Sequence, residues 1–155
     1  MKIISFNINS VRARPHQLEY IRDHLDPDVI GLQETKVHDD EFPVELVNEI
    51  GYHCEFWGQK AHYGVALLSK KKPLEISKGF SSDTDEDQKR FIQGRYEFKN
   101  SDILILNGYF PQGENRNHET KFPKKVKFYK DLKSHIKKLQ KSSSNIIVMG
   151  DFNVA

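Results

Sequence analysis

The segment Val29-Ile30-Gly31-Leu32-Gln33-Glu34 decides the fold of this sequence. Its first four residues predict a short buried strand, which runs directly into a glutamine and a glutamate. A helix is predicted before it, over residues 15–25, because apolar residues recur there at helical spacing. A short apolar strand over residues 2–6 precedes that helix. These elements predict a β-α-β unit near the start of the chain, and hence an α/β protein.

The rest of the chain predicts more strands and two further helices. Residues 42–50 predict a short helix that ends at Gly51. Residues 121–141 predict a long amphipathic helix, since apolar residues recur at steps of three and four and the other face is mostly lysine. Strands are predicted over residues 52–57, 64–69, 74–80, 91–98, 103–109 and 146–149, with a polar loop over 81–88 and a turn over 142–145. The class is therefore α/β, weighted toward strand.

The composition is that of a soluble globular protein. The 155 residues are 37% hydrophobic and 30% charged, and the net charge is only +2, so overall charge indicates no class of partner. No stretch is apolar enough for a membrane span or a signal peptide. The single cysteine, Cys54, excludes an internal disulfide and predicts a reducing, cytoplasmic location. His53 precedes it on a predicted strand, where neighbours point to opposite faces, so we interpret Cys54 as structural.

Four of the predicted strands end in polar side chains. These side chains are Asn7, Gln33 with Glu34, Asn107 with Tyr109, and Asp151 with Asn153. A single acid after a strand is commonly a helix cap or a turn former, so the functional interpretation depends on the recurrence. If the four strands lie side by side and point the same way, their ends meet at one edge of the sheet. Carboxylates, carboxamides and a phenol together predict a site for a hard cation such as Mg²⁺ or Mn²⁺, rather than zinc.

Five segments, in this order along the chain, carry a resemblance to a known family. They are residues 6–13 (FNINSVRA), 32–36 (LQETK), 62–66 (HYGVA), 107–113 (NGYFPQG) and 150–155 (GDFNVA). The chain resembles the exonuclease III and AP endonuclease family, within the endonuclease/exonuclease/phosphatase superfamily, from residue 1 to residue 155. The glutamine–glutamate pair and Gly-Asp-Phe-Asn are typical of the whole superfamily. Three further features indicate the DNA-repair branch of the superfamily: the context of Asn7, the Glu34-Thr35-Lys36 segment and residues 108–111.

The resemblance implies a four-layer α/β-sandwich of the DNase I-like type, with a mixed β-sheet and helices on its outer face. Members of this family run to roughly 250 residues, the size of one large domain. We therefore expect residues 1–155 to be the N-terminal half of that domain and a fragment of a longer gene product. We also expect the chain to supply about one sheet, whose inner face would be a large exposed apolar patch. A homodimer or a complementary C-terminal fragment would then cover this face.

The resemblance also implies roles for the side chains at the strand ends. The metal ligands it implies are Asn7, Glu34, Asp151 and Asn153, and the catalytic residues are Tyr109, Asp151 and Asn153. Asp151 corresponds to the residue that orients or deprotonates the attacking water. Asn153 would donate an amide hydrogen bond to a phosphate oxygen, and Tyr109 would act near the phosphate as a donor or as a phenolate.

Loops at the same edge are expected to contact DNA. The candidate residues are Arg12, Arg14, Lys60, Tyr63 and Gln112. Such residues would contact backbone phosphates and position the duplex without reading its sequence. An abasic site would be selected by how readily the lesion leaves the base stack. The lysines of the 121–141 helix are expected to form a solvated outer face, away from this edge.

The implied activity is DNA repair. It combines divalent-metal-dependent AP endonuclease, 3′-to-5′ exonuclease and 3′-phosphatase activities on duplex DNA with abasic sites or 3′ ends. The family carries further functional residues in its C-terminal half: an aspartate, an aromatic that probes the lesion, and a Ser-Asp-His segment. A first alternative is therefore a catalytically incompetent fragment that binds metal or DNA weakly. A second alternative is a superfamily phosphatase acting on lipid or sugar phosphates.

Overall fold

The computed structural model describes residues 1–143 and 145–154 of the chain. Ser144 of the predicted turn and Ala155 of the fifth family segment lie outside the described residues. The strands are β1 (Ile3–Asn7), β2 (Val29–Gln33), β3 (His53–Trp57), β4 (Val65–Ser69), β5 (Glu75–Lys78), β6 (Phe91–Phe98), β7 (Ser101–Tyr109) and β8 (Ile146–Asp151). The helices are α1 (Pro15–Leu25), α2 (Val44–Glu49) and α3 (Lys121–Leu139), with a 3₁₀ turn at Asp39–Glu41. All predicted strands and helices are confirmed, with shifts of a few residues at their ends.

The eight strands form two four-stranded mixed sheets. The first sheet has the order β1-β2-β4-β3 and the second has the order β5-β6-β7-β8. β1 pairs with β2 in parallel, and β7 pairs with β8 in parallel. The remaining pairs are antiparallel. Each sheet therefore contains one pair of parallel strands whose carboxyl ends lie at the same edge.

The two sheets pack face to face, and the expectation of a single sheet with an exposed inner face was wrong. Residues of the first sheet, such as Val65 and Leu67, pack against Ile92 and Ile105 of the second sheet, and all four are buried. The short segment between β4 and β5 carries the chain from one sheet to the other, so the chain itself covers the apolar face.

Helices cover the outer faces and complete four layers. Leu18 and Ile21 of α1 pack in one core cluster with Leu68 of the first sheet. Phe128 and Leu132 of α3 pack against apolar side chains on the outer face of the second sheet. The architecture implied by the family resemblance is therefore confirmed. Among the described residues, no helix is long and apolar enough to cross a membrane.

β1 and β8 are edge strands, and they lie next to each other on one side of the sandwich. We call this the open side. Ile4 and Phe6 of β1 are only partly buried, and they line an apolar groove together with Tyr20, which is 60% exposed. Phe122 and its neighbours line a second apolar groove along α3. Among the described residues, the apolar grooves thus include one beside β1 and one along α3.

Candidate active site

The carboxyl ends of the two parallel strand pairs meet across the sandwich. Asn7 and Glu34 come from the first sheet, and Asp151 comes from the second. The Asn7 Nδ2 donates to Glu34 Oε1 at 2.9 Å and to Asp151 Oδ2 at 2.9 Å. One carboxamide therefore links carboxylates from both sheets. We call the edge formed by these three residues and Tyr109 the rim.

Two of the polar residues expected at this edge are instead buried between the sheets. Gln33 is 1% exposed and Asn107 is 0% exposed. The Gln33 Nε2 donates to Asn107 Oδ1 at 2.6 Å. They lie beneath the rim and cannot contact a bound substrate.

Glu34 is held as a carboxylate by three neighbouring donors. Burial acts to raise its pKa, but hydrogen bonds from Asn7, Lys36 and Tyr109 outweigh this and lower the pKa below its usual value. The Lys36 Nζ lies 2.9 Å from Glu34 Oε2 and also donates to Asn9 Oδ1. Lys36 belongs to a family segment quoted above, but no role for it was predicted from the sequence.

Tyr109 is a neutral phenol at physiological pH. Burial, followed by its hydrogen bond to Glu34 and the negative charge of that residue, raises the pKa of Tyr109 to about 12. The nearby Arg90 guanidinium opposes this shift only in part. Of the two roles that the resemblance left open, the structure favours the hydrogen-bond donor over the phenolate.

Arg90 is a neighbour of the site that the sequence did not reveal. Its guanidinium carbon lies 4.2 Å from the ring centroid of Tyr63 and 4.6 Å from that of Tyr109. Its Nη1 donates to the Tyr109 carbonyl at 3.0 Å, and its Nε donates to Gln88 Oε1 at 2.6 Å. Arg90 precedes β6, and the pairing of β6 with β7 places it opposite Tyr109. A sequence argument that included this strand register would have found it.

Asp151 and Asn153 are two residues apart in the chain, and their side chains have different hydrogen-bond partners. The Asp151 Oδ1 accepts from the backbone N–H of Asn153 at 3.2 Å. The Asn153 Nδ2 donates to the carbonyl of Phe110 at 2.9 Å. Asn153 adopts a left-handed backbone conformation, with φ of 47°. Its amide donors thus lie beside the rim, and one is engaged by Phe110.

The oxygen atoms at the rim fit a magnesium-type ion. Glu34 and Asp151 supply carboxylate oxygens, which are ligands that hard cations take. The Asn7 amide turns its nitrogen to both carboxylates, and its oxygen accepts from the backbone N–H of Asn9 at 3.1 Å. Within residues 1–143 and 145–154, no group of three or more histidine, cysteine or acidic residues is arranged to hold a metal ion. Mg²⁺ keeps several of its waters and is commonly bound through only one or two carboxylates together with substrate phosphates. The donor set therefore fits this ion and not a structural zinc.

The five residues predicted to contact DNA lie in loops around the rim. Arg12 pairs with Glu41 at 2.7 Å, and Arg14 donates to the carbonyl of Asn9. Lys60 and Gln112 are exposed, and the Tyr63 hydroxyl accepts from Gln88 at 2.8 Å. Of the five, Tyr63 has its ring beside Tyr109, with the centroids 6.3 Å apart.

The lysine-rich face of α3 lies on the outer layer, as expected, but one lysine contacts loop segments beside the rim. The exposed lysines of this face, which we call the lysine face, are Lys121, Lys124, Lys127, Lys130, Lys133, Lys137 and Lys138. Lys125 is partly buried, and its Nζ donates to the carbonyls of Asn153 at 2.7 Å and Gln112 at 3.3 Å. The first turns of α3 thus support the segment that follows Asp151.

Cys54 has the properties of a structural thiol. Burial, helped by the charge of Glu55, raises the pKa of Cys54 to about 11. A thiol with this pKa is protonated at neutral pH and is a poor nucleophile.

Curated proteins of related sequence include two exodeoxyribonucleases. The chain is 54% identical over 155 residues to exodeoxyribonuclease III of Haemophilus influenzae. The alignment covers all of this chain and 58% of that protein. It is 31% identical over 160 residues to an exodeoxyribonuclease of Bacillus subtilis, covering all of this chain and 59% of that protein. The chain thus spans less than two thirds of the length of these relatives.

Solved structures of similar fold include DNA-processing enzymes. The 3′ phosphatase NExo from Neisseria, bound to a product DNA hairpin, superposes with a TM-score of 0.91 at 29% identity, covering all of this chain and 58% of that one. An AP endonuclease from Archaeoglobus fulgidus gives a TM-score of 0.87 at 34% identity, with the same coverage. The family model described as Endonuclease/Exonuclease/phosphatase family matches residues 4–155. The match over nearly the whole chain, the two-sheet architecture and the sequence relatives agree, and the chain belongs to the Endonuclease/Exonuclease/phosphatase family.

Proposed function

We propose that the rim hydrolyses phosphodiester bonds of duplex DNA in a repair reaction that depends on Mg²⁺ or Mn²⁺. The activities proposed are AP endonuclease, 3′-to-5′ exonuclease and 3′-phosphatase. The observation that supports this most strongly is the Asn7 amide that bridges Glu34 and Asp151 across the two sheets. The similar proteins include an exodeoxyribonuclease III, a 3′ phosphatase and an AP endonuclease, and these support the choice of DNA as substrate.

The residues that would hold the cation are Asn7, Glu34, Asp151 and Asn153. Glu34 and Asp151 supply negative charge from the two sheets, and Asn7 lies between them. A bound divalent cation supplies a Lewis acid that polarises the phosphoryl oxygen and stabilises the leaving oxygen. The Lys36 ammonium beside Glu34 balances part of the negative charge of the rim.

The protein side chains orient the reacting groups. A carboxylate oxygen of Asp151 accepts a hydrogen bond from the attacking water and fixes its direction of approach. Tyr109, protonated because of its raised pKa, donates to a phosphate oxygen that gains charge during the reaction. Asn153 supplies a second amide donor next to Asp151.

Surrounding loops would hold the duplex through its backbone. Arg12, Arg14, Lys60 and Gln112 supply polar and charged groups, and Tyr63 supplies an aromatic ring next to Tyr109. These residue types contact phosphates and sugars and stack on exposed bases. Selection of an abasic site then depends on the low cost of extruding the lesion.

We also propose that the open side is covered by another polypeptide segment. The relatives are longer than this chain, which spans 58% of two of them. β1 and β8 offer unpaired strand edges, and the apolar grooves beside them suit further packed elements. A homodimer is the alternative occupant. Light scattering of the chain distinguishes the two: a stable dimer supports self-association, whereas a monomer that is converted to a one-to-one complex by the remaining segment of a relative supports the proposal.

A duplex with a single abasic site provides the test of function. With Mg²⁺ present, the chain alone and the chain combined with the remaining segment of a relative are each assayed for incision. We expect metal-dependent incision, abolished in Glu34→Ala and reduced in Asp151→Asn. Incision by neither preparation would favour the catalytically incompetent fragment. Release of phosphate from an inositol phosphate, with the abasic duplex left intact, would favour the superfamily phosphatase.

A further inference from the structure

Asn107 joins the two sheets directly beneath the rim. It lies on β7 of the second sheet, and its Nδ2 crosses the sandwich to the backbone of the first sheet. There it donates to the carbonyl of Leu32 at 2.9 Å and to the carbonyl of Ala66 at 3.0 Å. Leu32 and Ala66 are register partners on β2 and β4, so Asn107 is bonded to two adjacent strands. No apolar side chain at this position can form such a link.

Gln33 completes the link from the other side. Its Nε2 donates to Asn107 Oδ1 at 2.6 Å and to the carbonyl of Gly31 at 3.0 Å, with the Ser5 hydroxyl at 3.2 Å. Both amides are buried, and an unpaired polar group in such a place is costly. A change at Gln33 leaves Asn107 Oδ1 without its donor, and a change at Asn107 removes the side-chain donor to the carbonyls of Leu32 and Ala66. Either change favours a shift of one sheet against the other.

The position of the pair in the strands connects it to the rim. Asn107 and Tyr109 are two residues apart on β7 and point to the same face. Their register partners on β8 are Met149 and Asp151. On the first sheet, Gln33 directly precedes Glu34. Gln33 and Asn107 therefore lie one or two residues before Glu34 and Tyr109 along their strands, directly below the rim where Asn7 bonds to Glu34 and Asp151.

Gly31 provides the space that the pair occupies. A Cβ atom at this position would lie 2.9 Å from Asn107 Oδ1 and would also clash with the Met149 side chain. The first sheet is therefore shaped at Gly31 to let the Asn107 side chain reach its backbone.

We propose that Gln33 and Asn107 are positioning residues that set the distance between the two halves of the rim. They keep Glu34 and Asp151 at the separation at which one amide, and one cation, bind both. This inference rests on the proposed metal-dependent function. If the pair only stabilised the fold, changing it would lower the stability of the protein without a specific effect on metal affinity. The positioning role predicts an additional loss of metal affinity.

Mn²⁺ binding by electron paramagnetic resonance tests the proposal. The Asn107→Leu variant keeps the side-chain size but loses the bonds to both strands. We expect it to bind Mn²⁺ about 10-fold more weakly, the typical effect of changing a residue that orients metal ligands. The matched control is Ile105→Ala or Ile105→Val, whichever has the same denaturation midpoint as Asn107→Leu. Ile105 is buried on the same face of β7 and contacts no rim residue through a hydrogen bond. The control is expected to bind Mn²⁺ like the wild-type chain.

A second variant and a metal-free measurement keep the outcome decisive. Gln33→Met preserves the shape of the side chain and should weaken Mn²⁺ binding in the same way if Asn107→Leu fails to fold. Without metal, the side-chain amide signals of Asn7 in nuclear magnetic resonance spectra should shift in either variant and stay unchanged in the control. Equal Mn²⁺ affinity and unchanged Asn7 signals in the two variants would overturn the positioning role. Absence of Mn²⁺ binding by the wild-type chain, with shifted Asn7 signals in the variants, would contradict the proposed metal centre and leave the positioning role supported.

Discussion

The rim and the lysine face of α3 are both strongly polar, but they are built in opposite ways. The rim has few charges, which are partly buried and bonded to one another through Asn7. The lysine face has seven exposed lysines, and in the described part of the chain its contacts with acidic groups are Lys121 with Glu114 and Lys127 with Asp131. This difference in convergence and burial, and not the number of charges, is the reason for proposing that chemistry takes place at the rim.

After the loss of Glu34, Asp151→Asn is the change expected to disable the rim most completely. It removes the carboxylate proposed to orient the water, so turnover on an abasic duplex should fall by about 10²–10⁴-fold. The Asn7 link can be retained by the new amide oxygen, so the melting temperature should change little. A variant that keeps turnover within an order of magnitude of wild type would show that the rim does not act as proposed.

Tyr109→Phe should have the next largest effect. Loss of the phenolic donor is expected to lower kcat by about 10²-fold, the typical effect of removing one such donor. Because the pKa of Tyr109 is about 12, the phenol stays protonated at neutral pH and is lost only as the pH rises through that value. Wild type and variant should therefore show parallel pH–rate profiles below about pH 10. A rise of wild-type activity between pH 7 and 9 that is absent in the variant would identify a phenolate as the active form instead.

Lys125→Gln tests whether Lys125 supports the rim or belongs with the solvated lysine face. Its ammonium supports the carbonyls of Asn153 and Gln112, so its removal should lower turnover by about 10-fold at most. Lys124→Gln is the matched control, because Lys124 is the adjacent exposed lysine and should be neutral. Equal effects of the two substitutions would remove the distinction between Lys125 and the lysine face.

Substitution of the lysine face itself should have the smallest effect. Lys127, Lys130 and Lys137, all changed to Gln, are expected to leave turnover within about 2-fold of wild type, since solvated charges far from the rim contribute little. Loss of the exposed ion pair of Lys127 with Asp131 should cost less than about 1 kcal/mol of unfolding free energy. A large drop in cleavage at physiological salt would identify this face as a DNA contact.

The strands and the strand ends could be predicted from the sequence because both depend on local pattern. Runs such as residues 29–32 are apolar, and the change to polar residues at Glu34 and Asp151 marks where each strand leaves the core. The division into two sheets could not be predicted in this way. It depends on β4 pairing between β2 and β3, and on the chain crossing at β5, which are nonlocal events without a local signal.

The same reason explains what was missed at the site. Arg90 lies between Tyr63 and Tyr109, which come from distant segments, so its environment depends on the register of β6 with β7. Gln33 and Asn107 were found as polar residues at strand ends, but their burial depends on the facing sheet. The identity of the site residues and their order along the chain were therefore predictable. How deeply each side chain is buried between the two sheets was not.

A double-mutant cycle between Glu34 and Asp151, measured by Mn²⁺ titration, tests most directly whether the two sheets build one metal site. We expect one bound Mn²⁺ per chain, an affinity at least about 10-fold lower in Glu34→Gln and in Asp151→Asn, and a double variant that is less affected than the two effects added together. Fully additive effects of the two substitutions, or undiminished binding in either single variant, would show that the carboxylates of the two sheets do not share a cation.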